Sequence, residues 1–195
     1  MSWQKWLQER RNDPDFLERK EVPIQDLNDW EIDGDGRLSR REGGYFEGVG
    51  IEGKAKNGKI WDQILLRQGV DGLIFLIYTR RHYLLQAKSE IGNDLNKNFM
   101  LLAPTIQASA TNLENGNIKY TEMVGDQKLI KVPQDGGRFL EKFNLYGSLR
   151  VPSIASVVKH KNFRWFTVKE ITEAIQSYDI NEHLLQMLGF LSLMT

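Results

Sequence analysis

At 195 residues the chain is long enough to bury a sizeable core, and 41% apolar with 27% charged residues is globular composition, which excludes a disordered chain. Lysine plus arginine equals aspartate plus glutamate, 26 of each, so no overall field favours nucleic acid, although a local basic pocket stays open. Cysteine is absent, which excludes disulfides, thiolate metal sites and cysteine nucleophiles.

In chain order, Trp3, Trp6, Leu7 and Arg10 recur at helical spacing and predict a short amphipathic helix broken at Asn12-Asp13-Pro14. The N-terminal Met1-Ser2-Trp3-Gln4-Lys5 has no signal-peptide pattern. Val22–Trp30 predicts a helical turn that packs Ile24, Leu27 and Trp30. Frequent glycines from Asp33 to Gly58 predict short strands joined by tight turns. Trp61–Gln68 reads as a strand, with Ile64 and Leu66 facing opposite Leu65. The unbroken apolar run Leu73–Tyr78 predicts a strand buried on both faces, and it is too short to span a bilayer. Arg80-Arg81-His82 predicts a turn. Strands are expected over Tyr83–Glu90 and Asn98–Ala110, the second kinked at Pro104. Thr167-Val168-Lys169-Glu170 has capping-box form, with Val168, Ile171, Ile175 and Tyr178 as the apolar stripe of its helix. A last helix is expected over Asn181–Leu193. With no internal repeat, the order of elements predicts one α+β domain over residues 1–195, a mixed sheet with helices near both ends, located in the cytoplasm.

The stretch Glu31–Glu42 places oxygen ligands and a glycine as a calcium-binding EF-hand loop would. An EF-hand needs a helix on each side, and Gly43–Gly50 is too rich in glycine to be one, so a glycine turn is predicted instead.

Strand periodicity supplies a second candidate. Gln86, Lys88 and Glu90 share one face of their strand, and Thr105, Gln107 and Ser109 share one face of theirs. Gly92-Asn93-Asp94 offers a turn, so antiparallel pairing of these two segments is expected. Two readings are open: a solvated sheet face, or a sheltered site in which Lys88 and Glu90 form an acid–base pair. Asp135-Gly136-Gly137-Arg138-Phe139 gives a close-approach turn with an arginine fork suited to phosphate, or simply an exposed turn. His82 and His160 stand among basic residues and His183 on the last helix. None has Asp or Glu at metal-ligand spacing, so no metal site is expected.

These same segments resemble the NDP-hexose 2,3-dehydratases of deoxysugar biosynthesis. The resemblance rests on Trp61-Asp62-Gln63, on Gln86-Ala87-Lys88-Ser89-Glu90-Ile91-Gly92-Asn93, and on Leu102 to Asn112. The last two are similar to the family's Q-A-K-x-E-P-G-N and P-T-x-Q-A-[ST] strings, in order and at like spacing. Gly136–Asn144, Trp165-Phe166-Thr167, Trp6-Leu7 and Trp30 also fall in place. Ile64 and Ile91 stand where the family usually has proline, and Arg40 where it has histidine. Typical members carry two copies of the module, whereas this chain carries one.

The resemblance implies a Nudix-like mixed β-sheet sandwich with flanking helices, without the Nudix metal box. It implies loss of water across C2–C3 of an NDP-4-keto-6-deoxyhexose, dTDP-linked by preference, a redox-neutral reaction that requires neither nicotinamide nor metal. Glu90 is then expected to transfer the proton, and Lys88 to stabilise the enolate oxygen or the diphosphate. Gln63, Gln86, Asn93, Thr105, Gln107 and Asn112 are expected to bind substrate, and Arg138 the diphosphate. Trp61 is either a stacking platform for the nucleobase or a core residue. A homodimer that mimics the tandem arrangement and a downstream 3-ketoreductase are the expected partners, with no nucleic acid and no membrane. The alternative reading is a nucleotide-sugar-binding module without catalysis.

Overall fold

The computed structural model describes residues 1–12, 19–43 and 46–194. Helix α1 (Trp3–Arg11) starts where the Ser2 hydroxyl accepts from the Lys5 amide, and it buries Trp3, Trp6 and Leu7. Asp13 and Pro14 of the expected helix break lie outside the described residues. There follow β1 (Trp30–Ile32), β2 (Leu38–Arg40), β3 (Glu47–Lys54), β4 (Ile60–Arg67), β5 (Gly72–Tyr78), β6 (His82–Ser89), β7 (Met100–Ala103) and β8 (Ile106–Ala108). The remainder is α2 (Ala110–Glu114), β9 (Ile130–Pro133), β10 (Phe139–Leu140), β11 (Phe143–Arg150), β12 (Phe163–Thr167), α3 (Val168–Gln176) and α4 (Glu182–Met194).

Two mixed sheets result, ordered β1-β2-β3-β4-β10 and β12-β6-β5-β11-β9. The second is the core sheet. On β5, Ile74 and Leu76 face the helices together with Trp6, Leu85 and Phe166. Leu73, Phe75 and Ile77 face an opposite cluster with Leu84, Tyr120 and Phe163. Burial on both faces is what an unbroken apolar run requires.

A fork in the core sheet positions the site. β5 and β6 pair only at Ile77–Leu84 and Tyr78–Tyr83, then diverge. The wedge between them is filled by β7 on β6 and β8 on β5. The expected strand from Asn98 to Ala110 is therefore two strands broken at Pro104-Thr105, and β8 pairs with β5 instead of with the Lys88 strand. At the apex the Thr105 hydroxyl accepts from Ile77 N–H at 2.9 Å and donates to Leu84 C=O at 2.5 Å. One side chain satisfies both backbone groups that the divergence leaves open.

Other expectations change in detail. The EF-hand-like stretch is the β1–β2 hairpin: Asp33 Oδ1 accepts from Asp35 N and Arg37 N, both at 2.9 Å, and Gly36 takes φ +77°. Val22–Trp30 contains only a 3₁₀ turn, Ile24–Asp26, and Ile24 is exposed. The capping box of α3 is complete, but the buried stripe is Ile171 and Ala174. Val168 lies in the exposed first turn, Ile175 is 39% exposed, and Tyr178, beyond the helix end at φ +56°, leaves its face for solvent.

Candidate active site

A cavity of about 290 Å³ opens between the ends of the two sheets and the first turn of α4. Gly72 and Ile74 of β5, Asn144 of β11 and Gln107 of β8 line it, with Ser109 and Asn112 at the start of α2. Phe46, Gln68, Arg138 and Phe139 close it from the first sheet, and Glu182 and His183 from α4. Gly72 is demanded by its surroundings: a Cβ there would stand 2.7 Å from Asn144 Oδ1 and 2.9 Å from the Ala108 carbonyl. Glu141, at φ +52°, turns the chain from β10 in the first sheet to β11 in the second. Lys142, the next residue, is thereby carried into the gap.

Lys88, Glu90 and Gln107 meet at one wall. Lys88 Nζ donates to Glu90 Oε1 and to the Gln107 carbonyl, both at 3.1 Å, and Gln107 Nε2 donates to the same Glu90 oxygen at 2.9 Å. Gln107 Oε1 in turn accepts from Asn181 Nδ2 at 2.6 Å, and Asn181 Oδ1 caps α4 by accepting from Leu184 N. Gln107, nearly buried, is a strut that ties the carboxylate to the helix. Glu90 Oε2 has no hydrogen bond among the described residues. A carboxylate with one oxygen clamped and the other available is oriented to exchange a proton with a bound molecule.

His183 completes this wall. Gln186 Nε2 donates to Glu182 Oε1 at 3.0 Å, which turns Gln186 Oε1 toward the Tyr146 phenol. That oxygen can only accept, so the phenol must donate to it. The phenol oxygen, 3.2 Å from His183 Nδ1, is then left to accept from Nδ1–H. The imidazole is fixed as the Nδ1-protonated tautomer, with the Nε2 lone pair available. Burial pushes the His183 pKa below its ordinary value near 6.5, against Gln186, Glu182 and Glu90, while Lys88 lowers it further. Burial likewise raises the Tyr146 phenol.

Lys142 is only 6% exposed. Its ammonium donates to the Val70 carbonyl at 2.7 Å and forms no ion pair among the described residues. Burial lowers its pKa, and the charge of Asp71 opposes the shift.

Of the residues singled out from the sequence, Lys88, Glu90, Gln107, Asn112 and Arg138 line this cavity; Trp61, Gln63, Gln86, Asn93 and Thr105 do not. Trp61 lies across Gly53 on the first sheet, where an added Cβ would meet its ring at 2.5 Å. Gln63 lines a shallow depression on the same sheet. Gln86 Nε2 is spent on the Pro104 carbonyl and Asn93 Nδ2 on the Phe99 carbonyl, both at 2.9 Å, so each holds a bend. Thr105 is consumed by the fork. Conversely, Lys142, Asn144 and His183 reach the cavity although the sequence assigns none of them a role there, His183 being weighed only as a metal ligand. Lys142 and Asn144 fall inside or at the end of the family-like stretch 136–144, the one signal that points to them. Nothing local marks His183. Among the described residues no three His, Asp or Glu side chains gather as a metal site would require.

Fold and site together define a class, an α+β module of Nudix-like architecture with a polar cavity at the sheet ends. Its fold is similar to that of a crystal structure titled ADP compounds hydrolase, with a TM-score of 0.50 and 9% identity over 75% of this chain and 84% of that one. Within this class, residues 1–186 match the NDP-hexose 2,3-dehydratase family, and the chain belongs to that family. It is 24% identical over 177 residues to the dTDP-4-dehydro-6-deoxy-alpha-D-glucopyranose 2,3-dehydratase of Saccharopolyspora spinosa. The match takes in 83% of this chain and 36% of the relative, so the chain spans about a third of that protein's length.

Proposed function

We propose that this chain is a hydro-lyase module that removes water across C2–C3 of a nucleotide-linked 4-keto-6-deoxyhexose, dTDP-linked by preference. The observation that carries this reading is the clamped Glu90 carboxylate beside the Lys88 ammonium at the cavity wall. The C4 ketone acidifies the C3 proton. Glu90 takes that proton through its available oxygen while Lys88, whose third N–H is not used by Glu90 or Gln107, stabilises the negative charge that develops on the C4 oxygen. The C2–O bond then breaks, and the Glu90 carboxylic acid returns the proton to the departing hydroxide as water. The enol tautomerises to a 3,4-diketo-2,6-dideoxy sugar, with no net oxidation or reduction. Asn112 and Gln107 border the sugar, and Arg138 stands at the rim.

The direct test is incubation with dTDP-4-keto-6-deoxyglucose, following loss of one water by mass spectrometry with a 3-ketoreductase present to trap the labile product. Such a reductase is the downstream partner the product requires. A sugar nucleotide that binds and is recovered unchanged would make the chain a binding module without catalysis.

The chain acts as one module and as a homodimer, in the cytoplasm. What supports the dimer is that the first sheet presents exposed isoleucines on one face. By strand register Ile32, Ile60 and Ile64 share one face of that sheet, and all three are exposed. No described helix is long and apolar enough to cross a membrane.

A further inference from the structure

The dehydration chemistry leaves one cation of the cavity without a role. Lys88 is neutralised by Glu90 at 3.1 Å, and Arg138 faces Asp135 at 3.5 Å. Asp71, the acid whose charge Lys142 feels, is itself engaged by Lys131 at 2.9 Å. Among the described residues Lys142 is therefore a buried positive charge whose one hydrogen bond goes to a neutral carbonyl, with two of its three N–H donors unspent. Burying a charge without a counter-charge is costly, and a site that tolerates it gains most from a ligand that brings the missing anion.

The surroundings of Lys142 narrow the ligand further. Phe46 and Phe139 both line the cavity, with ring centroids 5.7 Å apart and planes tilted by 38°. The Arg138 guanidinium covers the Phe139 ring, 5.7 Å from its centroid. At this separation the two rings pack on each other, so a flat heteroaromatic ring would stack on the outside of the pair, with the Arg138 cation alongside. Elsewhere the lining carries the carboxylates of Glu90 and Glu182, which would repel a phosphate.

Resting on the reading that this cavity takes a nucleotide-linked sugar, we propose that Lys142 anchors the diphosphate and that Phe46 and Phe139 hold the nucleobase. The sugar is thereby directed toward Lys88, Glu90 and His183. This moves the principal anion contact from the exposed Arg138 to the buried Lys142.

The test is calorimetric titration of the protein with thymidine diphosphate, thymidine and inorganic pyrophosphate. Lys142→Gln keeps a donor for the Val70 carbonyl and removes the charge; Lys142→Met keeps the chain length if the glutamine variant fails to fold. Loss of a charge-assisted contact should weaken thymidine diphosphate at least about tenfold while leaving thymidine unchanged. Phe139→Leu should weaken both nucleoside ligands and leave pyrophosphate alone. A folded Lys142 variant that binds thymidine diphosphate as the wild type does overturns the proposal, as does a wild type that binds none. Turnover of the sugar nucleotide with an unchanged KM in Lys142→Gln would remove this sub-site and keep the dehydration. Lys142-dependent binding with no turnover would do the reverse.

Discussion

The Tyr146 phenol oxygen stands 3.2 Å from Nδ1 of His183, and the two residues come from different layers, β11 and α4. The pair fixes a tautomer and also makes stability depend on pH. Because burial lowers the folded pKa of His183 below about 6.5, the unfolded chain binds a proton between the two values that the folded chain does not. Stability is then complete above about 6.5 and falls as pH drops through that window. Urea midpoints measured from pH 7.5 downward should show this fall in the wild type and a flatter profile in His183→Gln. An unchanged slope in the variant would exonerate His183.

A second, more acidic loss belongs to other groups. Burial raises Asp179, but hydrogen bonds from Arg11, Ser177 and Lys97 outweigh it and hold the carboxyl below 3.8. Burial raises Glu170 too, and Thr167 with Arg164 bring it below 4.5. Stability from these two is present above their unfolded values and lost as pH falls through the folded ones. This step should persist in His183→Gln, and Asp179→Asn should weaken it. The same midpoints, extended below pH 4, read both variants.

The contrast between local and distant determinants explains what was legible in the sequence. The Thr167–Glu170 capping box and the doubly buried β5 depend on residues within one turn or one strand, and both form as read. The Lys88 and Gln107 segments were read as partners because a turn lies between them, yet β8 pairs with β5. Pairing of that kind is decided by a fork elsewhere in the sheet, which no local period encodes. The two side chains meet all the same, because the wedge seats β8 beside the end of β6. Lys142 and His183 were hidden for a related reason. Each is brought to the cavity by a crossing between layers, at Glu141 and at the Asn181 cap.

Thr105 offers a clean separation of structure from binding. Its hydroxyl serves Ile77 and Leu84 at the apex of the fork and does not line the cavity. Thr105→Val keeps the shape and strands two buried backbone groups, at about 1–3 kcal/mol for each group left unpaired. Thr105→Ser should retain most of the stability. Folded Thr105→Val should bind nucleotide with wild-type affinity; a selective loss of binding at unchanged stability would place Thr105 in the site instead. Chemical denaturation and ligand titration on the same samples decide between them.

The exposed isoleucines of the first sheet make the proposed dimer testable. β2 meets β3 only at Leu38–Gly48, and β10 meets β4 only at Leu66 and Arg67, so the far half of the β3–β4 hairpin has unpaired edges among the described residues. Ile64, 76% exposed, sits on this arm. Open edges beside exposed isoleucine invite a second copy. Sedimentation equilibrium should report a dimer for the wild type and a monomer of equal thermal stability for Ile64→Lys. A monomeric wild type at assay concentration would end the dimer reading.

In the proposed dehydration Glu90 carries the heaviest chemical burden, and its variants can be ranked. Glu90→Gln preserves an acceptor for Lys88 and Gln107 but cannot take a proton, so turnover should fall by about 10²–10⁴ with KM little changed. Gln107→Ala leaves the carboxylate ionisable and cuts its ties to β8 and Asn181. Turnover should then fall less than in Glu90→Gln, and stability should fall as well, by about 1–3 kcal/mol for the buried partner left unpaired. The order of the two variants is the informative part. If Gln107→Ala lowered turnover as deeply as Glu90→Gln without loss of stability, the amide itself would be contacting the reacting sugar. If Glu90→Gln turned over at the wild-type rate, the C3 proton would have to leave by another group, and the Nε2 lone pair of His183 is the acceptor that the cavity holds in reserve.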